Sequence, residues 1–252
     1  MRELNDRVVI ITGASSGIGR ALALELARRG ATLGLIARRK EALEEVASCA
    51  RDAGADAAIG IADVADRSAV EGAIAQLVDA LGPVHMMIAN AGIDGTSSAR
   101  NLDVDRVEQV LQINLLGALY SIGAVLPAMV ARGSGRIVAV SSLAAWRGLP
   151  RSGGYCASKA GLTALMESFR IDLRGTGVGV TTIHPGFIRT PMTANSPFPM
   201  PFLMDVEPAA RAMIRGILSG RSEVNPPWRL ATLMRIVRHF PNWIHDRVVG
   251  GR

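Results

Sequence analysis

Ser142, Tyr155 and Lys159 stand close together in the chain and offer one reacting centre a hydroxyl, a phenol and an amine. Such a set suits acid–base chemistry. Tyrosine alone is a poor acid or base near neutrality, because its reference pKa is about 10. A fixed ammonium nearby favours the phenolate and brings that value toward working pH. Lys159 lies four residues after Tyr155, so on a helix the two share one face and Lys159 can supply that charge.

Two elements must position this trio. Leu162, Leu165, Met166 and Phe169 recur at helix spacing, which predicts a helix over residues 155–174. Residues 136–141 form an apolar run, a buried strand that delivers Ser142 at its carboxyl end, where open α/β sheets place their ligands. Similar runs over 7–12, 32–37, 56–61, 85–89 and 179–184 predict five more strands. Helical spacing fills the intervals at 20–29, at Leu43, Val46, Ala47 and Ala50, and from Val70 to Leu81. Residues 104–131 read as one long helix or two joined ones, and 208–219 as another helix.

The first strand runs straight into Thr12-Gly13-Ala14-Ser15-Ser16-Gly17-Ile18-Gly19 and then a helix. Glycine at 13, 17 and 19 allows a tight turn, a close approach of backbone to a pyrophosphate, and N–H groups at the helix start that face the anion. This is half of a dinucleotide-binding unit. Arg38 and Arg39 follow the second strand, where ribose-binding residues are found. An acid there would bind a ribose 2′-hydroxyl and repel a 2′-phosphate, whereas guanidinium makes bidentate contact with phosphate. The expected cofactor is NADP(H) rather than NAD(H); a solvated arginine pair is the alternative. The βα alternation predicts one doubly wound, Rossmann-type α/β domain over residues 1–252, a parallel sheet with helices on both faces.

The Gly-x-x-x-Gly-x-Gly turn, Asn90-Ala91-Gly92 after the fourth strand, and Tyr155-x-x-x-Lys159 with Ser142 upstream resemble the short-chain dehydrogenase/reductase superfamily, in its order, over residues 7 to about 190. The resemblance implies reversible hydride transfer between nicotinamide and a carbonyl or alcohol carbon, with Tyr155 as general acid/base. It implies that Ser142 holds the substrate oxygen and Lys159 the nicotinamide ribose, and that Asn114, the fourth catalytic position, helps hold a water near the lysine. It places Ala37 where NAD-preferring relatives carry aspartate. Asn90, Ala91 and Gly92 line the cofactor floor. Asp63 hydrogen-bonds the adenine, with Val64 packed beside it; the alternative for Asp63 is a helix cap. Pro185, Gly186, Ile188 and Thr190 hold the nicotinamide amide. His184 is expected as a satisfied strand-end histidine. A homodimer or homotetramer is expected, with the apolar helix over 115–130 as an interface.

Composition limits what else the chain can be. With 49% hydrophobic and 20% charged residues it is globular, and its net charge of +6 comes with lysine only at 40 and 159. Aromatic content of 4% and the lack of a stacking platform argue against nucleic acid. The uncharged stretch 113–131 raises a membrane span, but Asn114, Gly117, Ser121, Gly123 and Pro127 favour a buried helix. No apolar signal region follows Met1, so the cytoplasm is the expected compartment, and Cys49 and Cys156 are expected as reduced, packed thiols. No metal site is expected.

Two segments are individual. The stretch from about 190 to 206 is rich in methionine and proline and reads as a substrate loop; its apolar character suits a hydrophobic substrate or, equally, a cover for the core. Residues 221–252 carry six arginines against Glu223 and Asp246, and 228–240 are amphipathic, with Leu230, Leu233, Met234, Val237 and Phe240 on one face. That segment can cap the substrate pocket, pack on a partner subunit, or lie in an anionic membrane interface. A nucleotide-binding sensor or scaffold without turnover and an NAD-dependent alcohol dehydrogenase are the competing functions. The complete set Asn114, Ser142, Tyr155 and Lys159 argues against the first, and Arg38 with Arg39 against the second.

Overall fold

The apolar run after Arg7 becomes strand β1 (Val8–Thr12), all five residues buried, as a strand covered on both faces must be. The computed structural model describes residues 4–194 and 199–249. In it β1 is joined by β2 (Thr32–Ala37), β3 (Ala57–Ile61), β4 (Val84–Ala89), β5 (Gly135–Val140) and β6 (Val178–Ile183), all parallel. Two short strands, β7 (Ile188–Arg189) and β8 (Met204–Asp205), pair apart from this sheet. A last strand, β9 (Glu223–Val224), extends it beside β6, giving among the described residues the order β3-β2-β1-β4-β5-β6-β9. Strand order reverses between β1 and β4. The connections leave those two carboxyl ends in opposite directions and open a crevice there.

Helices cover both faces, because alternate residues of each strand point opposite ways. Val9 and Ile11 of β1 face a core built with α1 (Gly17–Arg28), α2 (Lys40–Asp52) and α8 (Val206–Leu218), through Leu22, Leu26, Leu43 and Met213. Ile10 faces the other core, built with α3 (Arg67–Leu81), α5 (Gly117–Gly123) and α7 (Gly153–Asp172), through Ile74, Leu77, Ile122 and Met166. The doubly wound fold is therefore the one expected.

Four local features differ from the expectation. The stretch 104–131 is not continuous: α4 (Val104–Leu111) runs into a π-helical turn, Gln112–Leu116, then α5, a break, and α6 (Leu126–Arg132) with Pro127 in its first turn. By length and composition this stretch passes as a membrane span, yet α5 packs on β4 and α4 on α7. Strand β9 was not legible, since two residues give no periodicity. The C-terminal helix α9 (Trp228–Val237) is shorter than expected and is followed by α10 (Asn242–Val249). Finally, the cap of α3 is Asp66, which accepts from Ala69 N at 3.1 Å; Asp63 instead accepts from Ala65 N at 3.0 Å in the turn before it. Cys49 and Cys156 are free thiols, half-buried and buried.

Candidate active site

The glycine turn sits at the carboxyl end of β1. Gly13 and Gly17 adopt φ of +67° and +54°, a region that favours glycine, and a side chain on Gly19 would collide with the Gly13 carbonyl. Asn90 locks the turn: its Nδ2 donates to the carbonyls of Thr12 (3.0 Å) and Gly13 (3.3 Å), while Thr12 Oγ1 accepts from Asn90 N (3.1 Å) and Ala91 N (3.2 Å). Ser16, at the N-cap of α1, makes no side-chain capping bond, and the first turn carries no acid. The first N–H groups of α1 thus remain available to an external anion.

At the far end, Arg38 Nη1 pairs with Asp63 Oδ2 at 3.2 Å, and Arg39 Nη2 donates to Ser15 Oγ at 3.1 Å. The arginine pair, the glycine turn and Asp63 therefore surround one space.

Ser142, just beyond β5, caps a short 3-10 turn, Leu143–Ala145, and its Oγ accepts from Ala144 N at 3.1 Å. Tyr155 and Lys159 project from the first turns of α7. Lys159 is buried, its Nζ donating to Val140 O at 2.8 Å and lying 5.9 Å from the centre of the Tyr155 ring. Burial pushes the Tyr155 phenol up to about 12, opposed by a hydrogen bond with Ser142; burial also pushes Lys159 down to about 8. The expected drop in the tyrosine pKa is therefore reversed. Removal from water disfavours both the phenolate and the ammonium that was to support it.

Asn114 lies in the π turn and is fully buried. Its Oδ1 accepts from Ile93 N (2.8 Å), and its Nδ2 donates to Ile93 O (3.0 Å) and Ser158 Oγ (3.1 Å). The partners that a buried amide requires are thus protein groups, and Asn114 ties the loop after β4 to α7.

Gly186 is pressed from the other side: a Cβ there would lie 2.7 Å from Leu230, 3.1 Å from Pro227 and 3.2 Å from Leu143. Thr190 packs opposite Gly17, and its N–H donates to Thr193 Oγ1 at 3.0 Å. His184 is satisfied as expected, by Thr163 Oγ1 (3.2 Å) and the Asn225 amide (2.9 Å), and burial keeps its pKa below the ordinary value. When the Asn225 nitrogen donates to His184 Nδ1, its oxygen accepts from Arg235 at 3.0 Å.

All the expected residues except Gly19 and Asn114, which stand behind its wall, line one cleft of about 370 Å³. Ile93, Ile113, Met192 and Thr193 also line it and were not singled out in the sequence. Met192 and Thr193 carried a signal, as part of the methionine-rich loop; of that loop, residues 195–198 lie outside the described residues.

Residues 7–198 match the family model described as short chain dehydrogenase. The chain belongs to the short-chain dehydrogenase family. This short-chain dehydrogenase is 44% identical over 246 residues to an uncharacterized oxidoreductase of Myxococcus xanthus, covering 98% of this chain and 97% of that one. It is 41% identical over 197 residues to 11-beta-hydroxysteroid dehydrogenase 1A of Arabidopsis thaliana, covering 77% of this chain and 56% of that protein. Among solved structures, levodione reductase superposes with a TM-score of 0.81 at 27% identity, over 89% of this chain and 97% of that one. An alcohol dehydrogenase of Thermococcus sibiricus, complexed with 5-hydroxy-NADP, gives 0.79 at 27% identity, over 87% and 95%. The short-chain dehydrogenase is thus an oxidoreductase that works with a nicotinamide cofactor. The cleft fits that group, with a glycine turn and an uncapped helix start for its phosphates.

Proposed function

We propose that this short-chain dehydrogenase uses NADP(H) to interconvert a ketone and an alcohol on an apolar small molecule. The observation that carries the reading is the meeting of the Ser142 and Tyr155 hydroxyls in the cleft, with Lys159 buried behind them. The cofactor supplies or takes up the hydride at the substrate carbon. Ser142 Oγ accepts from Ala144 N and keeps one proton to give, which it can shift from the Tyr155 phenol to the substrate oxygen and so fix its position. In reduction Tyr155 donates its proton to that oxygen, and in oxidation its phenolate takes it back.

Lys159 holds the nicotinamide ribose, and Pro185, Gly186, Ile188 and Thr190 hold the carboxamide. Asn114 keeps Ile93 and α7 in register with each other; its role toward a water near the lysine belongs to the same reading. Arg38 and Arg39, beside Ser15, support the choice of a 2′-phosphate. Ile93, Ile113 and Met192 along the cleft support an apolar substrate. Exposed Leu102, Val104, Val130 and Ile171 support self-association as a dimer or tetramer.

Tyr155→Phe removes one hydroxyl and little volume. It should keep NADPH affinity within about twofold and lower turnover on a ketone roughly 100-fold or more, the usual scale for a general acid. Near-normal turnover would remove Tyr155 from the mechanism.

A further inference from the structure

Helix α9 is apolar on two sides. Its inner side places Leu230, Ala231 and Met234 on Leu143, Trp146 and Phe187. The amphipathic face read from the sequence put Leu233 with them, but Leu233 is 47% exposed. On the outer side Trp228 and Ile236 stand two turns apart at 70% and 56% exposure, flanked by Leu233. Helix α10 adds Trp243 and Val248, at 72% and 68%. A helix with apolar residues all round is one whose outer side something else covers.

The charges decide what covers it. Arg229 and Arg247 are exposed on these two helices and Arg238 is exposed at the C-cap of α9, and none has a carboxylate partner among the described residues. Arg229 lies 5.6 Å over the Trp228 ring. Arg235, the remaining arginine of α9, is turned away toward Glu223 and the Trp146 ring. The one carboxylate of the pair, Asp246, lies beside His245. Two-fold pairing of this face with a second copy would bring together three arginines from each side against one carboxylate, Asp246, from each, a net repulsion. Tryptophan with arginine around an exposed apolar strip is instead the composition that settles at a lipid–water boundary.

We propose that the outer face of α9 and α10 docks on an anionic lipid surface, with Trp228, Leu233, Ile236 and Trp243 in the headgroup region and Arg229, Arg238 and Arg247 against lipid phosphates. This docking does not depend on the reaction assigned above. The full-length protein should sediment with vesicles of phosphatidylglycerol and phosphatidylcholine at about 50 mM salt, and lose most of that binding at about 500 mM salt or on pure phosphatidylcholine. Reversing the charges together, Arg229→Glu, Arg238→Glu and Arg247→Glu, should weaken binding roughly 100-fold or more. Unchanged NADPH affinity of that variant shows that it is folded. Trp228→Ser with Trp243→Ser should weaken binding with the arginines intact. Equal sedimentation with and without anionic vesicles overturns the proposal. So does a Trp228→Ser, Trp243→Ser variant that sediments as a smaller oligomer than the parent, since a second copy would then be the cover.

Discussion

Lys159 shows what burial does to a single residue. Its ammonium ordinarily titrates near 10.5 and here is pushed down to about 8, so folding costs most where the free chain holds the proton firmly. At pH 7 the cost is about 3 kcal/mol, from a shift of roughly 2.5 units at 1.36 kcal/mol each, less a little for partial deprotonation. A depressed lysine pKa contributes stability that is present above 10.5 and lost as pH falls through 8. The phenol of Tyr155, raised from 10 to about 12, works the other way above pH 10. These two groups together make stability rise between about pH 8 and pH 10. Lys159→Met removes the buried charge and strands the Val140 carbonyl, a loss of about 1 kcal/mol. It should therefore stabilise the fold by about 2 kcal/mol at pH 7 in urea titrations and show a flatter rise over pH 8–10, while losing activity. Destabilisation at pH 7 would mean that the ammonium is better solvated than its burial indicates.

At the scale of elements, Arg147 adds a three-way polar clamp to the apolar packing of α9 on the catalytic turn. Arg147, five residues after Ser142 and just past the turn that ends at Trp146, donates through Nη1 to the carbonyls of Arg238 (2.9 Å) and Phe240 (2.8 Å), and through Nη2 to Asn242 Oδ1 (2.9 Å). It satisfies carbonyls that the end of α9 leaves open and bridges to the start of α10. Trp146 adds a tilted contact with His184 at 5.5 Å, so the same turn grips β6, α9 and α10. Arg147→Ala should cost about 2 kcal/mol, raise KM for the ketone and leave NADPH affinity unchanged, since its hydrogen bonds run to residues 238–242. Arg147→Lys should recover little, because a point ammonium cannot span three acceptors set out for a fork. Urea titration and limited proteolysis within residues 238–242 check both variants.

At the scale of the whole molecule, the cleft joins groups drawn from both halves of the sheet, so a cofactor that spans it ties β1–β3 to β4–β6. Ligand at 100 times its Kd adds about 2.7 kcal/mol, which for a domain of this size raises Tm by roughly 5–10 °C. NADPH should give that shift, and NADH at the same concentration a smaller one. A 2′-phosphate must draw Arg38 from Asp63, but both side chains are largely exposed and their ion pair costs little to break. Arg38→Asp should remove the NADPH advantage. Equal shifts for both cofactors in the parent protein would make the arginine pair a solvated surface feature.

The sheet was legible because a strand buried on both faces must be apolar throughout, and β1 to β6 are continuous enough to read that way. The glycine turn was legible because its geometry excludes side chains, and Tyr155 with Lys159 because helix spacing puts them on one face. Such features are local, fixed by residues within a few positions of one another. Tertiary structure alone decided the rest. Asn114 finds its partners at Ile93 and Ser158, far along the chain, and the π turn that carries it leaves no periodic trace. The tyrosine pKa moved up because distant elements remove it from water, and i, i+4 spacing says nothing of solvent. Helix α9 turned Leu230 inward and Leu233 outward because its periodicity reports that some face is apolar, while the shape of the Leu143, Trp146 and Phe187 surface selects which.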